Sequence, residues 1–262
     1  AKLKKARNGD FYIMTKAGRR LDPHIASGYN KENLTAFINR SLKNLGTDTI
    51  DLLQLHCPPT EVYYMPQIFD ILDGFVKEGK LNFYGVSVEK VEEALKAIEF
   101  PNVQSVQIIY NIFRQRPDEL FFTEAQKRNV GIIARLPLSS GMLTGKLKID
   151  SQFENDDHRN FNRNGAAFDK GETFSGLDYN KGLETVEVLR QYVPEGYNLA
   201  QLALKWIIMH PEVTCAIPGA KRPDQVEQNV LASDMPEIPE SIMLKIKELY
   251  DKEIKPLVHH YW

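Results

Sequence analysis

Short apolar runs alternate with amphipathic stretches along nearly the whole chain. Residues 11–15 (FYIMT), 50–59 (IDLLQLHCPP), 83–87, 106–110, 131–135 and 215–217 hold runs too short for helices and rich in β-favouring aliphatic side chains. Such runs predict strands buried on both faces, as a parallel sheet covered by helices requires. Between them the apolar spacing changes to that of helices. Leu34, Ile38, Leu42 and Leu45 follow Asn30, a natural N-cap, and stop at Gly46. Further helices are predicted over 66–78 (closed by Gly79), 89–98, 117–128, 183–192, 199–209, from Pro223 through Asn229, and over 239–250. AKLKKAR at the start reads as the last turns of a surface helix.

Six strands alternating with helices argue for βα units, and right-handed crossovers leave a barrel or an open doubly wound sheet. In either architecture the chemistry gathers at the carboxyl ends of the strands. His56 is expected to end the strand of 50–59, and Lys16, followed by a flexible Ala17-Gly18, to follow the strand of 11–15. Two regions lie outside the repeating plan. Residues 148–182 are long for a loop and rich in Asn, Asp, Gly and Phe, which suits an active-site lid or a plain surface insertion. Residues 239–262 form a last helix and an aromatic tail, IKPLVHHYW, that could fold back over the domain.

Composition narrows the partners more than the fold. The 262 residues are 42% hydrophobic, enough for one large α/β domain or two small ones, read here as one domain over 1–262. A net charge of −2, with basic and acidic residues spread evenly, gives no electrostatic case for nucleic acid or an anionic membrane. Two cysteines, Cys57 and Cys215, imply a reducing, cytoplasmic compartment and no structural metal. No apolar run approaches the roughly 18–20 residues of a membrane span.

Six motifs taken in order resemble the aldo-keto reductases: TKAG at Thr15, LHCP at Leu55, GVS at Gly85, QIIYN at Gln107, PLSSGMLTGK at Pro137 and IPGAKRPDQVEQN at Ile217. Their order and spacing are similar to that family's third to eighth strands. The resemblance implies a (β/α)8 TIM-type barrel that binds NADPH (NADP+) at the carboxyl ends of its strands and reduces a small-molecule aldehyde or ketone. The chain has no G-x-G-x-x-G after a strand, in keeping with a cofactor site that is not a Rossmann fold.

The resemblance also assigns roles. Lys16 and His56 become catalytic: the lysine eases the ionisation of a tyrosine proton donor, and the histidine orients the substrate oxygen. That tyrosine and a buried aspartate belong to the family's first two strands and the following loop, so the chain is expected to begin after them. Tyr63 and Tyr64 read as pocket wall or packing. Ser87 and Gln107 are implied to hold the nicotinamide carboxamide. Val88 stands where the family uses a polar residue, and Asn111 is the neighbour that could supply the missing contact. Arg135 takes a position often held by a stacking aromatic, where a planar guanidinium could serve. Leu138, Ser139, Ser140, Gly141 and Lys146 resemble the loop around the pyrophosphate. Gly219, Lys221, Gln225, Gln228 and Asn229 map to the adenosine end, where Lys221 or Arg222 suits a 2′-phosphate and favours NADPH. The alternative function, given the missing tyrosine and aspartate, is a nicotinamide-nucleotide-binding regulatory or catalytically deficient barrel.

Overall fold

A computed structural model describes residues 11–262; the helix expected in AKLKKAR lies outside them. Among the described residues six strands form one sheet: β1 (Met14–Ala17), β2 (Ile50–His56), β3 (Leu81–Ser87), β4 (Val103–Ile109), β5 (Gly131–Arg135) and β6 (Val213–Ala216). They are hydrogen-bonded neighbours in sequence order. The β1–β2, β2–β3, β3–β4 and β5–β6 pairs run parallel. Helices occupy the connections: α1 (Lys31–Leu45), α2 (Pro66–Lys77), α3 (Val91–Ala97), α4 (Phe121–Lys127), α5 (His158–Phe161), α6 (Tyr179–Arg190), α7 (Leu199–Ile208), α8 (Pro223–Asp234), α9 (Glu240–Leu249) and α10 (Lys255–Val258). The alternation and the strand count are those the apolar pattern predicts.

Residue contacts divide into two compact units, Ala1–Gln107 with Glu124–Gly131, and Ile108–Thr123 with Ile132–Trp262. In the first, Leu53, Leu55, Val86 and Val106 of the strands are buried, as are Leu34 and Ile38 of α1 and Phe69, Leu72 and Phe75 of α2. The α1 boundaries follow the sequence signals. Asn30 accepts the Asn33 N–H at 3.0 Å, and Gly46 ends the helix at φ 63°. In the second unit Ile132 and Ala134 of β5 are buried together with Leu202, Ala203, Trp206 and Ile207 of α7. Tyr110 stacks on Trp206, with centroids 5.1 Å apart, and meets Phe122 edge-on at 4.6 Å.

Several boundaries differ from the expectation. The first strand is Met14–Ala17, so Lys16 lies within it. The Ile13 N–H goes to the Asp51 carboxylate at 2.8 Å, and Tyr12 is exposed, so the apolar run begins before the strand does. Gly18 is buried, with its φ of 102° and the Tyr29 ring against it, and is no flexible tip. The helix expected over 117–128 is split into a single turn at Arg116–Asp118 and α4. The 148–182 stretch is not a bare loop; it holds α5 and single turns at Lys170–Glu172 and Phe174–Gly176.

Candidate active site

In the first unit the parallel register sets two rows of side chains on one face. Lys16 pairs with Gln54, Gln54 with Gly85, and Gly85 with Ser105. Two residues nearer the carboxyl ends, His56 pairs with Ser87 and Ser87 with Gln107. Positions two apart on a strand face the same way. Lys16, His56, Ser87 and Gln107, expected together from the sequence, therefore stand on one face of β1 to β4. Lys16 and His56 are half-buried, whereas Ser87 and Gln107 are buried.

The backbone just past His56 turns sharply. Cys57 adopts φ 46°, a left-handed conformation that costs on the order of 1–3 kcal/mol in a residue with a side chain. Its N–H donates to the Ser87 carbonyl at 2.8 Å, and its sulfur lies 3.6 Å from the Ser87 hydroxyl. The Val88 N–H donates to the Gln107 carbonyl at 2.9 Å. Ser87 is thus fixed from both neighbouring strands. Tyr63 is fully buried and directs its hydroxyl to the Ser87 carbonyl at 3.5 Å, while burial pushes its ionisation well above the usual phenol range. Tyr64 is exposed, with the Lys96 ammonium over its ring. Packing is the role the structure gives Tyr63, whereas Tyr64 lies at the surface.

Three residues that the sequence reading passed over belong to this face or its edge. Gln54 and Ser105 are buried polar side chains, and Gln54 bonds both Ser105 Oγ and the Gln107 amide at 3.1 Å. A lone amide inside IDLLQLH was the available signal. The third is Tyr29, buried, with its hydroxyl 2.8 Å from His24 Nε2. Burial first, then the nearby Cys57, raises its ionisation. Its sequence signal was the pattern of an apolar residue before the N-cap Asn30 matched by Leu34.

The second unit holds the other expected residues. Arg135 ends β5, buried, and pairs with Glu172 at 3.5 Å. After it Leu136, Ser139, Ser140, Gly141 and Gly145 all take positive φ, so the loop winds left-handed. Its hydroxyls face inward. Ser139 Oγ lies 2.9 Å from Ser175 Oγ; Ser140 Oγ donates to the Glu172 carbonyl at 3.3 Å and accepts the Phe174 N–H at 3.1 Å. Asn111 donates to the Leu136 carbonyl and to Ser175 Oγ, each at 2.8 Å, and accepts the Phe113 N–H at 2.9 Å. It is a clamp for this loop and not a substitute for a polar residue at 88. Leu138, Ser140 and Gly141 remain half-buried and Lys146 is exposed.

The partner of the loop is a strap built from 157–176. Asn162, fully buried, accepts the N–H groups of Ala167 and Phe168 at 2.9 Å and donates to Thr173 Oγ1 at 3.2 Å. Phe174, Ser175 and Gly176 are themselves left-handed. Trp262 docks on this strap: its indole N–H donates to Asp169 at 3.0 Å and its ring lies 4.0 Å from the Arg114 guanidinium. A Cβ at Gly176 would enter the indole. At the adenosine-end motif, Gly219, Lys221 and Gln228 are exposed and Asn229 is half-buried. Arg222 is held by Asp224 through two contacts of 2.9 Å. Gln225 accepts the Lys221 and Arg222 N–H groups at 2.7 and 3.2 Å, capping α8, so its amide oxygen is engaged within the protein.

The sequence model described as Aldo/keto reductase family matches residues 1–251. The chain belongs to the aldo/keto reductase family. Among known relatives, L-glyceraldehyde 3-phosphate reductase of Escherichia coli O157:H7 is 29% identical over 230 residues, covering 85% of this chain and 65% of that protein. An aldo-keto reductase of Schizosaccharomyces pombe designated NADP(+) is 26% identical over 229 residues, with the same coverage of 85% and 65%. The chain thus spans just under two thirds of the length of these relatives. The holo form of an aldo-keto reductase from Bacillus halodurans superposes with a TM-score of 0.74 at 24% identity, covering 95% of this chain and 76% of that one. Its likeness supports the TIM-type fold. Among the described residues no helix is long and apolar enough to cross a membrane.

Proposed function

We propose that this protein reduces aldehydes or ketones to alcohols, with NADPH as its cofactor. The observation behind the proposal is the row His56, Ser87, Gln107 across three neighbouring strands, with Lys16 in the row before it. When bound, the cofactor supplies a hydride to the carbonyl carbon. Negative charge then develops on the carbonyl oxygen, and the site must meet it with hydrogen-bond donors and positive charge. His56 donates to that oxygen and Lys16 provides the cation. The proton donor is not among the residues we assign.

The residues present fit a nicotinamide nucleotide in part. Ser87 and Gln107 are polar, buried and aligned in register, as reading a carboxamide requires. Lys146 and Lys221 are exposed cations on phosphate-type loops, and Gly219 leaves open space above its backbone. Leu138, Ser140, Gly141 and Lys146 are assigned to the pyrophosphate, and Gly219, Lys221, Gln228 and Asn229 to the adenosine end. Arg135 offers a planar cation at the end of β5. The side chains of Ser139, Ser140 and Gln225 fit less well, because their polar atoms are engaged within the protein. The NADP(+) designation of the fission yeast relative supports NADPH over NADH. Cysteine usage supports a cytoplasmic setting.

The test is NADPH consumption by the purified protein against a panel of aldehydes and ketones, with the alcohol quantified. Alcohol formed in step with NADPH lost is expected. No alcohol from any member of the panel, or a substantially lower dissociation constant for NADH, would contradict the proposal.

A further inference from the structure

Gln54 is an amide in a strand whose other inward positions are apolar or catalytic, and it is 1% exposed. A buried amide without partners is costly, and an apolar residue of similar size would serve the core at least as well. Its partners are therefore the informative feature. Both lie on β4, two strands away: Gln54 Nε2 donates to Ser105 Oγ, and Gln54 Oε1 accepts from Gln107 Nε2, each at 3.1 Å. Two strand spacings are about 9–10 Å, and a side chain crosses them only if the intervening strand presents nothing in the way. The intervening residue is Gly85, paired in register with Gln54 on one side and Ser105 on the other. A Cβ at Gly85 would run into the Ser105 carbonyl oxygen and hydroxyl.

We propose that Gln54 is a positioning residue that sets the orientation of the Gln107 amide and thereby the cofactor headgroup the site accepts. Because Gln107 Nε2 is held by Gln54, rotation of the Gln107 amide is stopped with Oε1 as the end turned away from that bond. An acceptor presented in this way matches a ligand that donates N–H. A nicotinamide carboxamide has such a donor; the 3-acetylpyridine analogue, which keeps the carbonyl but has a methyl in place of the amine, does not. Ser105 is the second partner of the Gln54 amide, its hydroxyl accepting the Gln54 amide N–H. Lys16 pairs in register with Gln54, so the same side chain stands beside the proposed catalytic row. The inference rests on the assignment of Gln107 to the carboxamide.

The experiment measures dissociation constants for NADPH, for its 3-acetylpyridine analogue and for 2′-phospho-ADP-ribose, which has no nicotinamide. Wild type is expected to prefer NADPH to the analogue, by about tenfold for one hydrogen bond. In Gln54→Leu that preference is expected to fall to near unity while 2′-phospho-ADP-ribose binds as in wild type, which a general loss of structure would not produce. Ser105→Ala should reduce the preference in the same direction, and it decides the matter if Gln54→Leu does not fold. A preference for NADPH unchanged in the variant would overturn the role of Gln54 while leaving the proposed function intact. Failure of wild type to bind NADPH would instead overturn that function and the inference with it.

Discussion

The side chains assigned to the nicotinamide end stand on β2, β3 and β4, whereas those assigned to the phosphate end lie on a left-handed loop tied to a second, distant segment. On the strands, the register alone places His56, Ser87 and Gln107, and polar neighbours such as Gln54 and Ser105 refine them. On the loop, Ser139, Ser140 and Arg135 are held by Ser175, Phe174 and Glu172. A strand fixes a side chain through backbone hydrogen bonds that any residue makes. A left-handed loop of non-glycine residues is unfavourable by itself and persists only while its surroundings hold it. Chemistry is therefore expected to fail when strand residues are changed, and stability and cofactor affinity when the strap is changed.

The largest effect should come from Lys16→Met, which removes the cation of the strand row. Turnover is expected to drop about 10²–10⁴-fold with NADPH affinity nearly unchanged, read from kcat beside a binding titration. A large loss of affinity with intact turnover would place Lys16 in the cofactor site instead. Next comes Trp262→Ala. Its indole is buried against Gly171 and Gly176, so the variant should lose about 3–5 kcal/mol in denaturant unfolding of the full chain. NADPH affinity should fall with it, while the relative kcat of saturated enzyme changes little. Ser175→Ala takes one hydroxyl from Asn111 and Ser139 together and should cost about 1–3 kcal/mol. An unchanged NADPH affinity there would show that the strap does not shape the loop.

Much of the strand half was legible because the sequence displays its causes. The apolar runs locate the strands, and Asn30 and Gly46 bound α1. What was missed depends on contacts between residues far apart. That Asp51 captures the Ile13 N–H, and so delays the first strand, cannot be read from FYIMT. Gln54 was visible as a lone amide, but its meaning depends on Gly85 lying in the same register row. The loop half was legible only as a motif. PLSSGMLTGK displays hydroxyls, and nothing in it shows that Ser139 turns inward to a residue 36 positions away. Likewise the adenosine-end motif shows Gln225 as a polar side chain, while the structure uses it as a helix cap.

Two carboxylates of the second unit give a finer test with opposite signs. Arg159 beside Asp157, which caps α5 in the strap, holds its carboxyl at about 2. Burial, partly opposed by Lys247, pushes Asp118 up to about 6. Asp157 therefore favours folding above about pH 4 and loses that contribution as the pH falls towards 2, where the unfolded carboxyl is already protonated. Asp118 acts the other way: the folded protein holds a proton that the unfolded chain releases, so stability falls as the pH rises from about 4 through 6. Denaturant unfolding of Asp157→Asn should thus show a deficit at neutral pH that closes in acid. Asp118→Asn should be at no disadvantage at pH 7 and lose its relative gain below about pH 4.

The central claim is that the carboxyl ends of β2, β3 and β4 read a nicotinamide. A crystal structure of the protein with NADP+ tests it most directly. The carboxamide is predicted to lie against Ser87 and Gln107, its amine about 3 Å from Gln107 Oε1, with the ring facing His56 and Lys16. A nicotinamide ring seated away from these strand ends, or a carboxamide that meets neither side chain, would contradict the account.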